Sequence, residues 1–233
     1  MATTPRPPIV EARGVGKSYH RGRTDVVALR GVNLAMQPGE LVLVVGPSGG
    51  GKSTLLNLVG GLDRPDAGSI VVAGTDVAAS SERALDEFRR HHLGFVFQFF
   101  NLLGTLSARD NVAVALAARG GRTWRTARRE AGGLLEDLGL GHRADHRPAE
   151  LSGGEQQRVA IARAIAGEPE LILADEPTGN IDSDATAAVM EMLVALNRDR
   201  GVTLIVVTHD ASLRAYAHRV LEMVDGNLSA TRC

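Results

Sequence analysis

Residues 41–60 constrain the fold more than any other part of the sequence. They begin with an apolar, β-branched run over residues 41–45, which is too short for a helix and predicts a buried strand. Residues 46–54 then fit the phosphate-binding pattern G-x-x-x-x-G-K-[ST], and a run typical of a helix follows. A strand, a glycine-rich loop and a helix in this order predict a P-loop in an α/β protein.

The residue types of this loop suit a triphosphate and its metal ion. Its glycines lack a Cβ atom, so their backbone N–H groups can close around phosphate oxygens. Lys52 offers a positive charge to the β and γ oxygens, and Ser53 offers a hydroxyl to Mg²⁺. A glycine-rich turn without a ligand is the alternative, and the flanking strand and helix argue against it. The predicted nucleotide-binding residues here are Gly46, Ser48, Gly49, Gly50, Gly51, Lys52, Ser53 and Thr54.

Composition narrows the class of protein. The chain has 233 residues, enough for one large α/β domain with a subdomain, and a formal net charge of −1, which argues against a general polyanion binder. Its one cysteine, Cys233, permits no disulfide within the chain and is consistent with a reducing compartment. Residues 1–8 contain three prolines and no apolar core, so we expect a flexible tail and not a secretory signal. No apolar run approaches the ~20 residues that span a bilayer, so any membrane crossing must come from another chain.

Apolar strands alternate with helical segments, which predicts a parallel sheet covered on both faces. Residues 16–23 are expected to form a polar loop, and Gly31–Met36 a half-buried strand. From about residue 99 to residue 166 the pattern becomes helical, with helix-capping signals at Ser107, Thr123 and Ser152. The predicted strands cover residues 9–15, 26–29, 31–36, 41–45, 69–73, 93–97, 171–174, 202–207 and 220–224.

Polar residues follow several of these strands, where ligands bind in parallel sheets. Gln98 and His209 each follow an apolar strand, as the P-loop does. Asp175 and Glu176 end another strand, where one carboxylate can hold Mg²⁺ and the other can orient or deprotonate a water. Two acids that merely cap a strand end are the alternative. Convergence at one sheet edge favours the catalytic interpretation.

Two further features are ambiguous from residue types alone. Tyr19 can stack on a purine base, although a lone tyrosine in a loop is more often a partly buried side chain. Five arginines between residues 119 and 129 surround Trp124, which suits either a nucleic-acid patch or a solvated helix face. A single aromatic residue and a net charge near zero favour the solvated face, so we expect no nucleic-acid partner.

Residues 151–158, Leu-Ser-Gly-Gly-Glu-Gln-Gln-Arg, predict a second phosphate site. Ser152 and Glu155 form a capping box, and the glycines leave backbone N–H groups bare at a helix start, where anions bind. A plain capped helix is the alternative. Because the chain already has a P-loop, the second site is explained if it faces the nucleotide of another copy.

With these motifs the sequence resembles, over almost its whole length, the ATP-binding subunits of ABC transporters. The resemblance implies an α/β P-loop NTPase core with a mostly parallel sheet, an N-terminal antiparallel β subdomain and an inserted α-helical subdomain at about residues 99–166 of a domain spanning 9–233. The matching motifs are the P-loop, Gln98 of the Q-loop, the signature at residues 151–156, Walker B at 171–176, the D-loop at 179–182 and the switch histidine His209.

The resemblance also implies roles for individual residues. Glu176 would be the catalytic base, His209 would contact the γ-phosphate, and Gln98 would touch Mg²⁺ or the attacking water. Tyr19 falls where the family places its adenine-stacking aromatic residue, which reverses the preference stated above. Metal ligands would be Ser53, Gln98 and Asp175, and the cofactors ATP and Mg²⁺. Ser152 and Gly154 would contact the γ-phosphate bound to the partner copy, and Gly153 and Asp182 would be further nucleotide-binding residues.

Residues 60–65 and 97–103 resemble the lipoprotein-releasing and macrolide-export ATPases, with Gly50 in place of the usual serine and Gly104 in place of the usual proline. The sequence thus predicts an ATP-hydrolysing subunit that dimerises head to tail and drives a separate permease, at the inner face of the cell membrane.

Three other functions are alternatives to this one. A soluble P-loop kinase or GTPase leaves the signature unexplained. An ABC protein acting on nucleic acid or the ribosome usually has two such domains or long coiled coils. A cell-division type of signalling complex that moves no cargo remains the alternative.

Overall fold

The computed structural model describes residues 7–21 and 24–230, so most of the expected tail, residues 22–23 of the expected polar loop and Cys233 lie outside it. The described part contains ten strands and six α-helices. They are β1 (Val10–Arg21), β2 (Thr24–Met36), β3 (Leu41–Val45), α1 (Lys52–Val59), β4 (Ala67–Val72), β5 (Thr75–Asp76), α2 (Glu82–His92), β6 (Leu93–Val96), α3 (Ala108–Ala118), α4 (Trp124–Asp137), α5 (Gly153–Ile165), β7 (Leu171–Asp175), α6 (Ser183–Arg200), β8 (Thr203–Thr208), β9 (Arg219–Val224) and β10 (Asn227–Ala230).

The strands form two sheets. One is antiparallel with the order β2-β1-β4-β5, and the other has the order β10-β9-β3-β8-β7-β6. In the larger sheet the neighbours from β9 to β6 are parallel, and only β10 runs antiparallel at its edge. This is the expected fold class, with an α/β core, a mostly parallel sheet and an N-terminal antiparallel sheet.

The prediction of a polar loop at residues 16–23 is wrong for residues 16–21, the part of this segment that the structure describes. Residues 16–21 continue β1, and β2 runs without a break from Thr24 to Met36, so that Tyr19 pairs with Val26 across a long hairpin. Register shifts interrupt the pairing of β1, and Gly14 has a φ of 60°. These bulges break the alternation that identifies a strand, which explains why the polar sequence resembled a loop.

The larger sheet is covered on both faces, as the nearly continuous apolar strands predicted. On one face Val42 and Val44 pack with Leu55 and Leu58 of α1 and with the N-terminal sheet. On the other face the alternate residues of β3 pack against α5 and α6. The central strands therefore hold their carboxyl ends, and the loops that follow them, in fixed positions.

The helices α3, α4 and α5 surround a third apolar cluster. Their predicted caps form, since Ser107, Thr123 and Ser152 each accept the N–H of the residue three positions on. Trp124, at the start of α4, is 48% exposed. Within the described residues, no helix combines the length and apolar character needed to cross a bilayer.

Candidate functional site

A cavity of about 670 Å³ lies at the carboxyl ends of the parallel strands, beside the loop between β3 and α1. It brings together residues that are far apart in the sequence, including most of the P-loop, the Q-loop glutamine and the second carboxylate of Walker B. Its lining residues are Tyr19, His20, Val26, Ala28, Ser48, Gly49, Gly51, Lys52, Ser53, Thr54, Gln98 and Glu176.

The β9–β10 hairpin packs against the P-loop and holds it in place. Gly226, with a φ of 78°, donates its N–H to the carbonyl of Gly50 over 3.0 Å. A Cβ atom at Gly226 would lie 2.8 Å from the carbonyl oxygen of Ala28, so no larger residue fits without a shift. A Cβ atom at Gly50 would lie 2.9 Å from the carbonyl oxygen of Met223, so a larger residue there would also require a shift.

The Lys52 side chain folds back over the P-loop, and backbone carbonyls of that loop hold its ammonium group. Its Nζ donates to the carbonyls of Gly46 at 2.8 Å and Pro47 at 2.9 Å, and the side chain is only 6% exposed. Nζ also lies 4.0 Å from Oε1 of Glu176. Phosphate oxygens would suit this buried ammonium group better than neutral carbonyls do, because they add an opposite charge to the hydrogen bond.

Asp175 and Ser53 form the oxygen donor pair expected of a magnesium site. The Ser53 hydroxyl donates to Oδ1 of Asp175 over 3.0 Å. Burial raises the pKa of the Asp175 carboxyl and the adjacent Glu176 charge adds to this, while the Ser53 hydrogen bond and Lys52 oppose it. A cation would relieve the cost of this buried charge. Hydroxyl and carboxylate oxygens suit Mg²⁺, which usually takes few protein ligands together with substrate phosphates.

Glu176 directly follows β7 and turns its side chain toward the cavity. Its φ of 45° lies in the left-handed region, and its side chain is 12% exposed. Oε2 accepts a hydrogen bond from the Thr208 hydroxyl at 3.0 Å and lies 3.0 Å from Nδ1 of His209. The structure thus brings together Glu176 and His209, the two residues predicted from separate strand ends.

Gln98 is attached to the segment that follows Walker B. The Asn180 side-chain amide donates to the Gln98 carbonyl over 2.8 Å, and Gly179 packs close to the Gln98 side chain. Asp182 directly precedes α6, and its carboxylate caps that helix by accepting the Ala185 N–H at 2.8 Å. It does not line the described cavity.

Tyr19 lies at the outer end of the cavity and is fixed by its hydroxyl. That hydroxyl donates to Asp63 over 2.8 Å, and Lys17 forms an ion pair with Asp63 over 2.9 Å. Burial and the bond to Asp63 raise the pKa of Tyr19. Burial opposes the ionisation of Asp63, but the hydrogen bonds from Lys17, Tyr19 and the Arg64 amide outweigh it and lower its pKa.

The signature residues lie apart from this cavity. Ser152 caps α5, and its N–H donates to Glu155 over 2.8 Å, which completes the predicted capping box. The hydrogen bond from the Ser152 N–H lowers the pKa of Glu155, and this outweighs burial, which acts to raise it. None of Ser152, Gly153 and Gly154 is among the described lining residues. Gly154 instead packs against α6, where an added Cβ atom would lie 2.9 Å from that of Ala185.

Sequence reasoning missed Asp63, Asn180 and Thr208. Asp63 and Asn180 act through contacts between distant segments, so no local pattern identifies them. Thr208 directly precedes the predicted His209 at the end of an apolar strand, and that position was an available signal.

Comparison with known proteins shows which family this chain belongs to. The family model described as ABC transporter matches residues 29–179, more than half of the chain. The chain belongs to the ABC transporter family. An ABC cassette binds nucleotide and hydrolyses ATP. The predicted fold class and ATPase activity of this chain are therefore confirmed.

Individual relatives agree along nearly the whole chain. The lipoprotein-releasing system ATP-binding protein LolD 2 of Caulobacter vibrioides is 48% identical, with 97% of this chain and 98% of that protein covered. The macrolide export ATP-binding/permease protein MacB of Rhodopseudomonas palustris is 47% identical over 96% of this chain, which spans 34% of that longer protein. The predicted likeness to these two groups is therefore confirmed.

Solved structures show the same cassette. A dimeric ATP-binding cassette in a post-hydrolysis state, bound to ADP and Pi, matches with a TM-score of 0.88 at 39% identity, covering 96% of this ABC protein and 99% of that chain. A second dimeric structure, of a bacterial ABC transporter cassette, matches equally well.

Proposed function

We propose that this ABC protein is the ATPase subunit of a transporter of the lipoprotein-releasing or macrolide-export type. It works as a head-to-tail dimer bound to a separate membrane permease, which holds it at the inner face of the cell membrane. One observation supports a composite site, in which the P-loop of one copy and the signature residues 151–156 of the other bind the same nucleotide. Ser152, Gly153 and Gly154 start a helix away from the chain's own nucleotide cavity, and Ser152 is exposed. The backbone N–H groups of Gly153 and Gly154 at this helix start then serve the γ-phosphate of a partner copy.

In the hydrolytic step Glu176 takes a proton from the attacking water through Oε1, which faces Lys52. Lys52 and the P-loop amides hold the phosphates, and Tyr19 supports the adenine. Ser53, Asp175 and Gln98 would hold Mg²⁺, which neutralises charge on the β- and γ-phosphates. His209 contacts the Glu176 carboxylate and would also contact the γ-phosphate.

Coupling to the permease runs through residues 98–106, which we name the docking loop. Phe99 and Leu103 are 72% and 51% exposed, whereas Phe100 is half-buried and has a φ of 58°. The Arg163 guanidinium, on α5, donates to the carbonyls of Phe100 and Asn101. The helix that begins at the signature therefore holds the loop that carries the exposed apolar side chains.

The test combines the catalytic and composite sites. Glu176→Gln keeps the side-chain shape without a base, so it should bind ATP and hydrolyse it at least ~100-fold more slowly. In this background we compare Ser152→Asp with Ser152→Asn. Both side chains cap helices well, and only the aspartate places a negative charge where the partner's γ-phosphate would lie. The Gly154→Asp change is less suitable because of its contact with Ala185.

We expect size-exclusion chromatography with ATP to show a dimer for Glu176→Gln alone and with Ser152→Asn, and a monomer with Ser152→Asp. Equal dimerisation of the two double variants would contradict the composite site. Near-normal steady-state ATPase activity of Glu176→Gln would contradict the assignment of the base.

A further inference from the structure

Thr208 is a buried residue at the end of β8 that the family motifs leave without a role. It is 1% exposed, and its hydroxyl donates to Oε2 of Glu176 over 3.0 Å. The same oxygen accepts the N–H of Asp210, also over 3.0 Å. Because a hydroxyl carries one hydrogen, the contact with the Asp210 N–H leaves that hydrogen free to point at the carboxylate.

The backbone alone does not fix the Glu176 side chain. Glu176 lies one residue beyond β7, where its N–H still donates to the carbonyl of Val207 over 2.9 Å. Its left-handed φ turns the chain out of the strand at this point. The carboxylate therefore depends on side-chain partners for its orientation, and Thr208 is the fully buried one.

The two carboxylate oxygens have different surroundings. Oε2 contacts Thr208 and His209, whereas Oε1 faces Lys52 at 4.0 Å. Since His209 is 60% exposed at its side chain, Thr208 provides the more rigid of the two contacts to Oε2. Fixing one oxygen also fixes the direction in which the other points.

We propose that Thr208 is a positioning residue for ATP hydrolysis, whose hydroxyl holds Oε2 of Glu176 so that Oε1 is presented to the attacking water. This rests on the proposed function, in which Glu176 is the general base. Thr208 is not among the described residues that line the nucleotide cavity, so it acts through Glu176.

The main variant is Thr208→Val, which keeps the shape of the side chain and removes the hydroxyl. Thr203→Val is the matched control. Thr203 is also 1% exposed, starts the same strand, and accepts the Gly39 N–H over 3.0 Å, but it lies at the opposite end of β8. Both changes remove a buried acceptor from a backbone N–H, so a loss that is merely structural should affect both variants.

We expect Thr208→Val to lower kcat by about 10- to 100-fold, as loss of a hydrogen bond to a charged group implies. The KM for ATP should stay within about twofold of the wild-type value, since the variant leaves the P-loop contacts intact. Thr208→Ser should restore kcat, and Thr203→Val should keep it. Thr208→Cys, with a weaker donor of similar size, should give an intermediate kcat and supplies a second variant if valine prevents folding.

A double-mutant cycle separates positioning from general damage. In the Glu176→Gln background, Thr208→Val should cause no further loss of kcat, because the group that it positions is already inactive. A kcat for Thr208→Val within about twofold of that of Thr203→Val, failure of serine to restore it, or additive losses in the cycle would overturn the proposal. Wild-type activity of Glu176→Gln would overturn the proposed function instead.

Discussion

The buried side-chain amide of Asn111 joins the docking loop to α3. Replacing Asn111 with alanine tests how much this anchor contributes to stability and to coupling with the permease. Oδ1 accepts the Leu103 N–H over 2.7 Å. Nδ2 lies 3.1 Å from the Leu103 carbonyl, 3.3 Å from that of Leu106 and 3.0 Å from that of Ser107. An amide has two N–H hydrogens, so it donates two full hydrogen bonds, and Asn111→Ala removes three bonds in total.

The cost of Asn111→Ala follows from these contacts. At roughly 1 kcal/mol for each hydrogen bond, the loss is about 3 kcal/mol. Alanine is the better helix former by roughly 0.5 kcal/mol, which leaves a net loss of about 2–3 kcal/mol in the free energy of unfolding. For a domain of this size each kcal/mol corresponds to roughly 2–4 °C, so Tm should fall by about 4–12 °C.

Differential scanning calorimetry measures the change in Tm, and ATPase assays with and without the permease measure its effect on coupling. The control is Asn197→Ala, another buried asparagine, whose amide donates to the carbonyls of Gly39 at 2.9 Å and Val202 at 2.7 Å, near the amino ends of β3 and β8. Both variants should melt earlier, and only Asn111→Ala should lose stimulation by the permease. A Tm within about 1 °C of wild type, or equal loss of stimulation in both variants, would refute the reasoning.

Three further outcomes are expected. Phe99→Asp should leave Tm and basal ATPase activity unchanged and abolish stimulation by the permease, because this side chain is exposed; a large drop in Tm would show that it belongs to the core. Gly226→Ala should raise the KM for ATP by displacing the P-loop, whereas Gly74→Ala, at a similar φ with open space around it, should not; equal KM values would refute this. Asp63, with its lowered pKa, stabilises the fold above about pH 4. The wild type should therefore lose its advantage in unfolding free energy over Asp63→Asn as pH falls below about 4, and a constant difference would contradict the ion pair.

The sequence predicted the parts of the fold that depend on local patterns. Residues 41–54 specify a strand and a loop by apolar run and glycine spacing, and the structure has both in place. The caps at Ser107, Thr123 and Ser152 were predictable because a capping side chain bonds within its own turn. The convergence of Gln98, Glu176 and the P-loop followed from the geometry of parallel strands.

Features that depend on pairing between distant segments were not predictable in the same way. The long β1–β2 hairpin is defined by its cross-strand partners and contains bulges, so its polar half resembled a loop. The crowding around Gly50 comes from Met223, more than 170 residues later in the chain, and no local signal records it.

The exposed position of Trp124 has a spectroscopic consequence. It is the sole tryptophan of the sequence, it begins α4, and it is not among the described residues lining the nucleotide cavity. Intrinsic fluorescence therefore reports on the surroundings of α4, and the parallel sheet contributes no indole emission of its own. An emission change on adding ATP would signal movement around α4, transmitted from the cavity, because the nucleotide itself does not touch the fluorophore.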